Sequence, residues 1–294
     1  MANLLKGKDV AISINDRSKK EVEILKQKGI TPTLAIVRVG NKESDLSYEK
    51  GAIKRASEVG VEIKSIVLDE TVDYDLFYST IEQLNNDNSI HGILLLRPIP
   101  NHLDNEKARL SIKPQKDVDG CSNGSLSGIF TNTNLGFPPC TAQAAIEILD
   151  YYNIDVKGKN VVVLGRSLVV GKPLSMMLLN RNATVTICHT KTENIESISS
   201  KADIVVTSIG KAEFLNKEYF SNSQTIIDVG ISWNETKQKL CGDVLFDEVE
   251  PIVKNITPVP GGVGSVTTSV LMSHVIEAAK QLNWLSNQFF YPYY

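Results

Sequence analysis

The first hundred residues alternate between two spacings of hydrophobic positions. Apolar side chains recur every three to four positions over residues 18–28 and 45–59, as on one face of an amphipathic helix, and these stretches stop at Gly29 and Gly60. Residues 33–39 instead form a short, almost continuous apolar run, which is typical of a buried strand. The pattern therefore predicts a helix, a buried strand and a second helix in succession.

The same alternation continues along the rest of the chain. A stretch rich in Gly, Ser, Asn and Thr over residues 119–141 interrupts it and predicts a loop. The remaining predicted elements are strands over 61–67, 92–96, 161–164, 183–188, 202–208 and 225–229, and helices over 73–86, 142–152, 173–180 and 267–282. Strands that alternate with helices indicate parallel sheets flanked by helices, so we expect an α/β fold.

Length and composition predict two globular domains. The 294 residues correspond to about two domains of roughly 150 residues each. A hydrophobic fraction of 42% with 22% charged residues is ordinary for a folded protein. The 31 basic and 34 acidic residues give a net charge of −3, which leaves no cationic surplus for nucleic acid. We therefore expect no nucleic-acid partner.

The placement of charges, cysteines and histidines indicates the cellular compartment and argues against several kinds of site. Lys6, Lys8 and Asp9 stand where a signal peptide needs an apolar stretch, and no apolar run approaches the roughly 18 residues of a membrane helix. The four cysteines lack a CxxC pair, and the four histidines lack an HExxH spacing. The sequence thus predicts a cytoplasmic protein with no membrane partner, no disulfide and no metal site.

The loop between the predicted strand 161–164 and the predicted helix 173–180 has features of a phosphate-binding turn. Gly165 follows the strand directly, Gly171 lies further along the loop, and Pro173 suits the first position of the helix. A glycine after a parallel strand lets a phosphate approach the backbone, and the helix N-terminus supplies unpaired N–H groups. The spacing departs from GxGxxG, so a plain strand-to-helix turn is the alternative.

The end of the next predicted strand, 183–188, indicates which nucleotide fits. In dinucleotide-binding folds an acidic residue there accepts a hydrogen bond from the ribose of NAD. Here Thr190 and Lys191 follow the strand, no carboxylate occurs before Glu193, and Arg166 lies in the phosphate loop. Hydroxyl groups and cations suit a 2′-phosphate, so the sequence favours NADP, with NAD as the alternative.

Several segments, taken together and in order, carry a family resemblance. They are Lys116-Asp117-Val118-Asp119-Gly120, Pro139-Cys140-Thr141, Gly165-Arg166-Ser167 with Gly171, Ile227-Asp228-Val229-Gly230-Ile231, Gly242-Asp243-Val244 and Pro258-Val259-Pro260-Gly261-Gly262. With these segments the chain resembles the methylenetetrahydrofolate dehydrogenase/methenyltetrahydrofolate cyclohydrolase family of one-carbon metabolism. One such motif would be a weak signal, whereas the set is specific.

The resemblance implies a two-domain α/β architecture with a folate cleft between the domains. Residues 1–142 plus 270–294 would form an N-terminal three-layer α/β catalytic domain, and residues 143–269 a Rossmann-type NAD(P)-binding domain. It also implies a tetrahydrofolate substrate and a homodimer, because members of this family are typically homodimeric.

The resemblance also assigns residues to the site. Tyr48 matches the tyrosine that stacks on the pterin, and Asp119 matches the carboxylate that binds the pterin ring. A carboxylate can accept two hydrogen bonds from an amino-pyrimidinone edge. Without the resemblance, Tyr48 would more simply be an interfacial aromatic residue and Asp119 a turn residue. The further expected contacts are Pro260, Gly261 and Gly262 with substrate and nicotinamide, and Gly165, Arg166, Ser167, Gly171, Thr190 and Ile231 with the cofactor.

The chain departs from the family at a residue of the cyclohydrolase step. Bifunctional members carry an essential lysine four positions after the tyrosine, and this position is Ala52. Lys50 and Lys54 lie about 200° and 240° around the helix from Tyr48, whereas the fourth residue is only about 40° away. We therefore expect neither lysine to replace the missing one.

A second departure concerns the partner of that lysine. The family has a glutamine on the strand before its Pro-x-Pro segment, and this position is Leu96. Both members of one hydrogen-bonded pair are thus absent. The neighbouring Arg97 has no counterpart in the resemblance and is a candidate for a cation in the cleft.

These observations predict an NADP-dependent methylenetetrahydrofolate dehydrogenase with weak or absent cyclohydrolase activity. Hydride transfer from the one-carbon bridge needs alignment with the nicotinamide but no general base. Hydrolysis of the methenyl product needs an activated water, and acid–base help is usually worth about 10² to 10⁴-fold. The first alternative is a bifunctional enzyme in which Arg97, or a lysine from a shifted helix, assists water. The second is a non-catalytic folate or nucleotide binder.

Overall fold

Helices and strands alternate along the chain as the hydrophobic pattern predicts. A computed structural model describes the backbone of residues 1–288 and the side chains of residues 1–283. The strands are β1 Asn3–Leu4, β2 Thr33–Val39, β3 Glu62–Leu68, β4 Gly92–Leu95, β5 Asn160–Leu164, β6 Thr184–Cys188, β7 Ile204–Thr207, β8 Thr225–Asp228, β9 Ser232–Asn234, β10 Lys239–Cys241 and β11 Asn255–Ile256. The helices are α1 Gly7–Gln27, α2 Glu43–Val59, α3 Tyr74–Asn86, α4 Asn105–Leu110, α5 Asn123–Thr131, α6 Cys140–Tyr151, α7 Gly171–Asn180, α8 Ile195–Ser199, α9 Phe246–Val249 and α10 Thr267–Gln288.

The chain divides into two units. The N-terminal unit consists of Ser13–Cys140 and Thr268–Tyr294, and the central unit of Met1–Ile12 and Thr141–Thr267. These ranges differ from the sequence prediction at the start of the chain, where residues 1–12 join the central unit. The reason is that β1 pairs in parallel with β11, so that the first residues extend the central sheet. Residues 289–294, which the prediction placed in the first domain, lie outside the described residues.

A three-stranded parallel sheet, in the order β3-β2-β4, forms the centre of the N-terminal unit. Strand β2 is buried almost throughout, as its continuous apolar run predicts, and the edge strand β3 alternates between exposed and less exposed positions. Phe77 and Ile81 of α3 pack with Ile93 and Leu95 of β4 in one hydrophobic core. Helix α2 ends at Gly60 in the left-handed conformation, as predicted.

The C-terminal end of α3 is fixed by Lys116, the first residue of the Lys-Asp-Val-Asp-Gly segment. Its Nζ donates to the carbonyl oxygens of Leu84 at 2.9 Å and Asp87 at 2.7 Å. The last carbonyls of a helix have no partners within the helix, and a buried ammonium satisfies them. This lysine therefore has a structural role.

Asp117 anchors the segment that follows it. This buried carboxylate accepts hydrogen bonds from the backbone N–H groups of Cys121 (3.0 Å) and Ser122 (2.7 Å) and from the hydroxyl of Ser125 (2.6 Å). Ser122 in turn caps the N-terminus of α5 by accepting from the backbone N–H of Ser125. The sequence analysis predicted only a loop here, which is wrong for residues 123–131. Two glycines and two serines lower the helix propensity of this stretch, and the anchored cap overrides it.

The central unit is built on a six-stranded parallel sheet in the order β1-β11-β8-β7-β5-β6. Strands β9 and β10 form a separate antiparallel hairpin that the sequence analysis did not predict. The two-unit α/β fold with a Rossmann-like sheet is therefore confirmed. No helix within the described residues is both long and apolar enough to cross a membrane.

Two buried aspartates join the loops that follow the central strands. Asp228 accepts from the hydroxyl of Thr207 at 2.7 Å and from the N–H of Val244 at 3.0 Å, and burial raises its pKa to about 7. Asp243 accepts from the N–H groups of Ile209 (2.5 Å) and Gly210 (2.9 Å). The aspartates of the Asp-Val-Gly and Gly-Asp-Val motifs thus hold backbone in place.

We expect Asp117→Asn to lower the free energy of unfolding by about 2–3 kcal/mol, because an amide leaves one of the buried donors facing an NH₂ group. Urea-induced unfolding measures the change. Glu23→Gln on the exposed face of α1 is the matched control and should change the value by less than about 0.5 kcal/mol. An equally small effect of Asp117→Asn would contradict the anchoring role.

Candidate functional site

Polar side chains of the N-terminal unit gather beyond the carboxyl ends of β2 and β4. Tyr48 lies in α2, Arg97 two residues after β4, Asp119 after the 3-10 turn Pro114–Lys116, and Cys140 at the start of α6. Asp119 interacts electrostatically with each of the other three. Ligands of open α/β sheets bind at this edge, so the predicted residues Tyr48 and Asp119 lie together where a substrate site is expected.

Asp119 is the titratable group of this cluster that responds near neutral pH. Burial and the like charge of Asp117 raise its pKa to about 6, against the opposing effects of Arg97 and a hydrogen bond with Cys140. Asp119 is therefore a carboxylate above about pH 6. In this state it accepts hydrogen bonds from a ligand.

The other acidic groups of the cluster keep their protons. Burial, with the charges of Asp119 and Cys140, raises the pKa of Tyr48 well above its usual range. Burial and the neighbouring carboxylates likewise raise the pKa of the Cys140 and Cys121 thiols. At neutral pH the phenol of Tyr48 is a hydrogen-bond donor and neither thiol is a nucleophile.

The backbone of Asp119 is fixed from two sides. The carbonyl oxygen of Val118 accepts from Nδ1 of His274 at 2.9 Å and from the thiol of Cys140 at 3.3 Å. Gly120 has φ of 66°, and a Cβ there would lie 2.4 Å from the carbonyl carbon of Pro138. The segment accordingly requires glycine after the aspartate.

The two positions at which the sequence analysis expects a departure from the family contribute no amine to this cluster. Ala52 is fully buried and Leu96 is 7% exposed, and both are apolar. Lys50 and Lys54 are exposed, on the part of α2 that faces away from its buried side. Their placement agrees with the helical angles expected from the sequence.

In the central unit, the loop after β5 approaches its neighbours closely. Gly165 has φ of 129°, and a Cβ there would lie 2.4 Å from the hydroxyl oxygen of Ser208. A Cβ on Gly171 would lie 2.2 Å from the carbonyl oxygen of Gly165. The carbonyl of Ser167 accepts from the N–H of Lys172 at 3.0 Å and closes the loop. The two predicted glycines thus form a tight cradle of backbone.

Helix α7 begins at Gly171, two residues earlier than predicted. Pro173 is therefore the third helical residue and not the first. A proline is compatible with this position, because the first four N–H groups of a helix have no intrahelical acceptor. The sequence analysis expected unpaired N–H groups here, which is wrong for these residues: Pro173 has no N–H, and the N–H groups of Lys172 and Leu174 donate to the carbonyls of Ser167 and Val170 at 3.0 and 2.9 Å.

The predicted ribose-binding residues lie at the same edge of the sheet. Strand β6 is the neighbour of β5, and the N–H of Gly165 donates to the carbonyl of Cys188 at 2.9 Å. Thr190 and Lys191 follow in a turn closed by a 2.8 Å hydrogen bond from the N–H of Thr192 to the carbonyl of His189. Arg166, Ser167, Thr190 and Lys191 are all exposed.

The remaining predicted residues line a cavity of about 260 Å³ in the central unit. Ile231, Pro260, Gly261 and Gly262 border it, together with Asp228. The structure therefore brings together the four residues that the resemblance places near substrate and nicotinamide. No group of three His, Cys, Asp or Glu side chains within the described residues is arranged to hold a metal ion.

The sequence analysis missed an ion pair beneath the site. Arg38 of β2 and Glu49 of α2 are both buried and lie 2.9 Å apart, from Nε to Oε2. The available signal was an arginine inside the otherwise apolar run 33–39, and a glutamate on the buried face of the helix that carries Tyr48.

Family models match both parts of the chain. Residues 5–119 match the catalytic domain of tetrahydrofolate dehydrogenase/cyclohydrolase, and residues 139–283 match its NAD(P)-binding domain. The sequence is 49% identical over 281 residues to the "Bifunctional protein FolD" of Clostridium botulinum, covering 96% of this chain and 99% of that protein.

Two solved structures are also similar to the chain. The bifunctional FolD methylenetetrahydrofolate dehydrogenase/cyclohydrolase of Campylobacter jejuni has a TM-score of 0.92 at 35% identity, with 96% of this chain and 99% of that chain covered. The Trypanosoma brucei methylenetetrahydrofolate dehydrogenase-cyclohydrolase, complexed with NADP and an inhibitor, has a TM-score of 0.88 at 32% identity, with 95% and 98% covered.

Proposed function

Because the chain belongs to the tetrahydrofolate dehydrogenase/cyclohydrolase family, we propose that it oxidises 5,10-methylenetetrahydrofolate to the methenyl form with NADP, in the cytoplasm, and that its cyclohydrolase activity is weak or absent. Membership of the family supports the dehydrogenase activity. The cyclohydrolase part rests on the composition of the cluster around Asp119, which provides no amine.

Tyr48 and Asp119 would bind the pterin. The Asp119 carboxylate accepts hydrogen bonds from an amino-pyrimidinone edge, and its pKa of about 6 keeps it ionised at neutral pH. The ring of Tyr48 offers a flat apolar face for stacking, with its hydroxyl protonated. Both groups orient the substrate and neither needs to exchange a proton.

The oxidation step is compatible with such a site. The C–H bond of the one-carbon bridge breaks with both electrons leaving as hydride, which NADP takes up when bound. The lone pairs of the adjacent nitrogens stabilise the resulting cation, so no proton leaves the carbon. The contribution of the protein is alignment, which we assign to Tyr48 and Asp119 in the N-terminal unit and to the strip Pro260, Gly261 and Gly262 in the central unit.

Hydrolysis makes a different demand. Water must lose a proton as it adds to the methenyl carbon, and a ring nitrogen must gain one before it departs. The guanidinium of Arg97 has hydrogen-bond donors and no acceptor atom, so it can stabilise charge but cannot take up the proton that water loses. Raised pKa values remove Tyr48 and Cys140 from this role, which leaves only the weak base Asp119.

The bifunctional enzyme remains the second candidate, since the similar proteins are named bifunctional. In that case a group outside the Tyr48 helix would have to activate water. Arg97 is the candidate for this role, and it would act by stabilising charge and not by moving a proton.

In an assay with methylenetetrahydrofolate and NADP, we expect methenyl product to accumulate in step with NADPH. The rate of hydrolysis, measured separately from loss of methenyltetrahydrofolate absorbance, should be below about one hundredth of the dehydrogenase rate, since acid–base help is missing.

Arg97→Leu should leave the residual hydrolysis unchanged. Hydrolysis that keeps pace with oxidation would contradict the proposal, and its loss in Arg97→Leu would assign the activity to the arginine. Tight binding of folate and NADP without NADPH formation would instead indicate a non-catalytic binder.

The loop between β5 and α7 fits NADP. No side chain fits at Gly165 or Gly171, where a Cβ would lie within 2.4 Å of a neighbouring oxygen. Arg166 and Lys191 are exposed cations at the ends of adjacent strands, and Glu193 lies further along. This arrangement suits a 2′-phosphate better than a 2′-hydroxyl.

We expect Arg166→Gln to raise KM for NADP by about tenfold or more and to leave KM for NAD within about twofold, because only NADP carries the additional phosphate. Initial rates with each cofactor measure the split. Lys159→Gln, an exposed cation before β5 at the opposite edge of the sheet, is the control. Equal effects on both cofactors would show that Arg166 does not contact the 2′-phosphate.

A homodimer is the expected assembly, and the β9–β10 hairpin is the surface that we assign to it. Trp233 and Leu240 are paired across the hairpin and are 50% and 43% exposed. A patch of this kind on a small hairpin is typical of a protein–protein contact.

Trp233→Glu should convert the dimer to a monomer at micromolar concentration, because burying a carboxylate in an apolar contact costs free energy. Sedimentation velocity measures the mass. Phe130→Glu, which replaces an exposed aromatic residue of the N-terminal unit, should leave the mass unchanged. A dimer that survives Trp233→Glu would place the interface elsewhere.

A further inference from the structure

The helix that carries Tyr48 is joined to the sheet by a buried ion pair. Nε of Arg38, in the central strand β2, donates to Oε2 of Glu49 in α2 at 2.9 Å. Each residue is only 7% exposed. Charges are rarely buried to this degree unless they are paired and hydrogen-bonded.

Further hydrogen bonds complete the pair. The hydroxyl of Ser65 in β3 donates to Oε1 of Glu49 at 2.8 Å. Nη1 of Arg38 donates to the side-chain oxygen of Asn41 at 2.6 Å and also to the carbonyl of Gly40. The network thus connects two strands, the start of the loop before α2, and the helix itself.

The rest of the buried face of α2 is small. Besides Asp45 and Glu49 it consists of Ala52, Ala56 and Val59. Short side chains project little from the helix, so they fix its face toward the sheet but discriminate weakly between small rotations or shifts of that face. Charged hydrogen bonds are directional, and they select one orientation among these.

Tyr48 immediately precedes Glu49, so the orientation of the pair determines where the phenol ring lies. A small rotation or shift of α2 would move the ring relative to Asp119, and a misplacement of about 1 Å can cost about 100-fold in rate. The present orientation brings Tyr48 into electrostatic contact with both Asp119 and Cys140.

We propose that the Arg38–Glu49 ion pair, with Ser65, is a positioning device that sets the rotation and register of α2 and thereby holds Tyr48 over the substrate position. Arg38 and Glu49 are positioning residues and do not touch the substrate. The inference rests on the proposed function, in which Tyr48 stacks on the pterin.

A purely stabilising role makes a different prediction. Replacing a buried ion pair by apolar residues of similar volume is often neutral or stabilising, whereas removing one partner leaves an uncompensated charge. The double variant Arg38→Met/Glu49→Leu therefore separates stability from positioning, because it keeps the packing and removes the directional bonds.

The experiment compares steady-state kinetics of the full chain and of Arg38→Met/Glu49→Leu with methylenetetrahydrofolate and NADP. We expect an unchanged or higher melting temperature and a loss of about 10- to 100-fold in kcat/KM for the folate, since a misplacement of about 1 Å can cost this much. The loss should appear mainly in KM for the folate, while KM for NADP stays within about twofold.

A second readout tests whether the loss acts through Tyr48. Tyr48→Ala should raise KM for the folate by about tenfold in the parent chain and by less than about twofold in the double variant, because the ring is already displaced there. Arg55→Gln/Glu58→Gln removes an exposed ion pair of 2.6 Å from the same helix and is the matched control, expected to change neither value.

Unchanged folate kinetics in the double variant, or a full Tyr48→Ala penalty in both backgrounds, would overturn the proposal. If the double variant does not fold, Arg38→Lys tests the proposal instead, because it keeps the positive charge and loses the forked hydrogen bonds of the guanidinium. A raised KM for folate in this variant supports positioning, and an unchanged KM contradicts it. Absence of dehydrogenase activity in the parent chain would instead contradict the proposed function.

Discussion

The burial of charged side chains is the constraint on which the rest of the structure depends. A buried carboxylate must be neutralised or surrounded by donors. Asp117, Asp243 and Glu49 each accept hydrogen bonds from several neighbouring groups. Asp119 differs in its surroundings, because the groups that stabilise its charged form are the thiol of Cys140 and the guanidinium of Arg97 and not a set of backbone N–H groups. Its remaining acceptor capacity is what a substrate can use.

This contrast explains how one short segment serves two purposes. Lys116 satisfies the end of α3, and Asp117 caps the following loop and helix. Together they hold the backbone on either side of Val118, whose carbonyl is fixed by His274 and Cys140. The backbone around Asp119 is thereby held by other residues, and the carboxylate of Asp119 does not have to stabilise the fold itself. Hydride transfer requires a preorganised site of this kind. Proton transfer requires in addition a group that accepts or donates the proton.

Much of this arrangement was predictable from the sequence. The apolar run 33–39 became β2 with the same bounds, and Gly60 ended α2 as expected. The predicted neighbours Tyr48 and Asp119 also lie in one cluster. Their proximity is a tertiary fact, so it came from the family resemblance and not from periodicity.

The elements that were missed have physical reasons. Helix α5 depends on the cap at Ser122 and on the Asp117 anchor, which no local propensity reveals. Strand β1 has two residues and exists because β11 offers an edge to it. The hairpin β9–β10 is short and polar around its turn. The Arg38–Glu49 pair joins residues eleven positions apart across a strand and a helix, and it requires knowledge of which faces meet.

Positions 52 and 96, where we propose that the residues of the cyclohydrolase step are absent, obey the same constraint on buried polar groups. A lysine at the fully buried position of Ala52 would bring an ammonium without an acceptor, because position 96 is occupied by a leucine. A glutamine at position 96 without the lysine would likewise leave buried polar atoms unpaired, at a cost of about 1–3 kcal/mol. Both positions are apolar here, so neither cost arises. One of the two acidic residues that α2 buries, Glu49, is matched by Arg38 at 2.9 Å. The helix thus retains a polar attachment to the sheet, and this attachment supports the aromatic ring and not a proton donor.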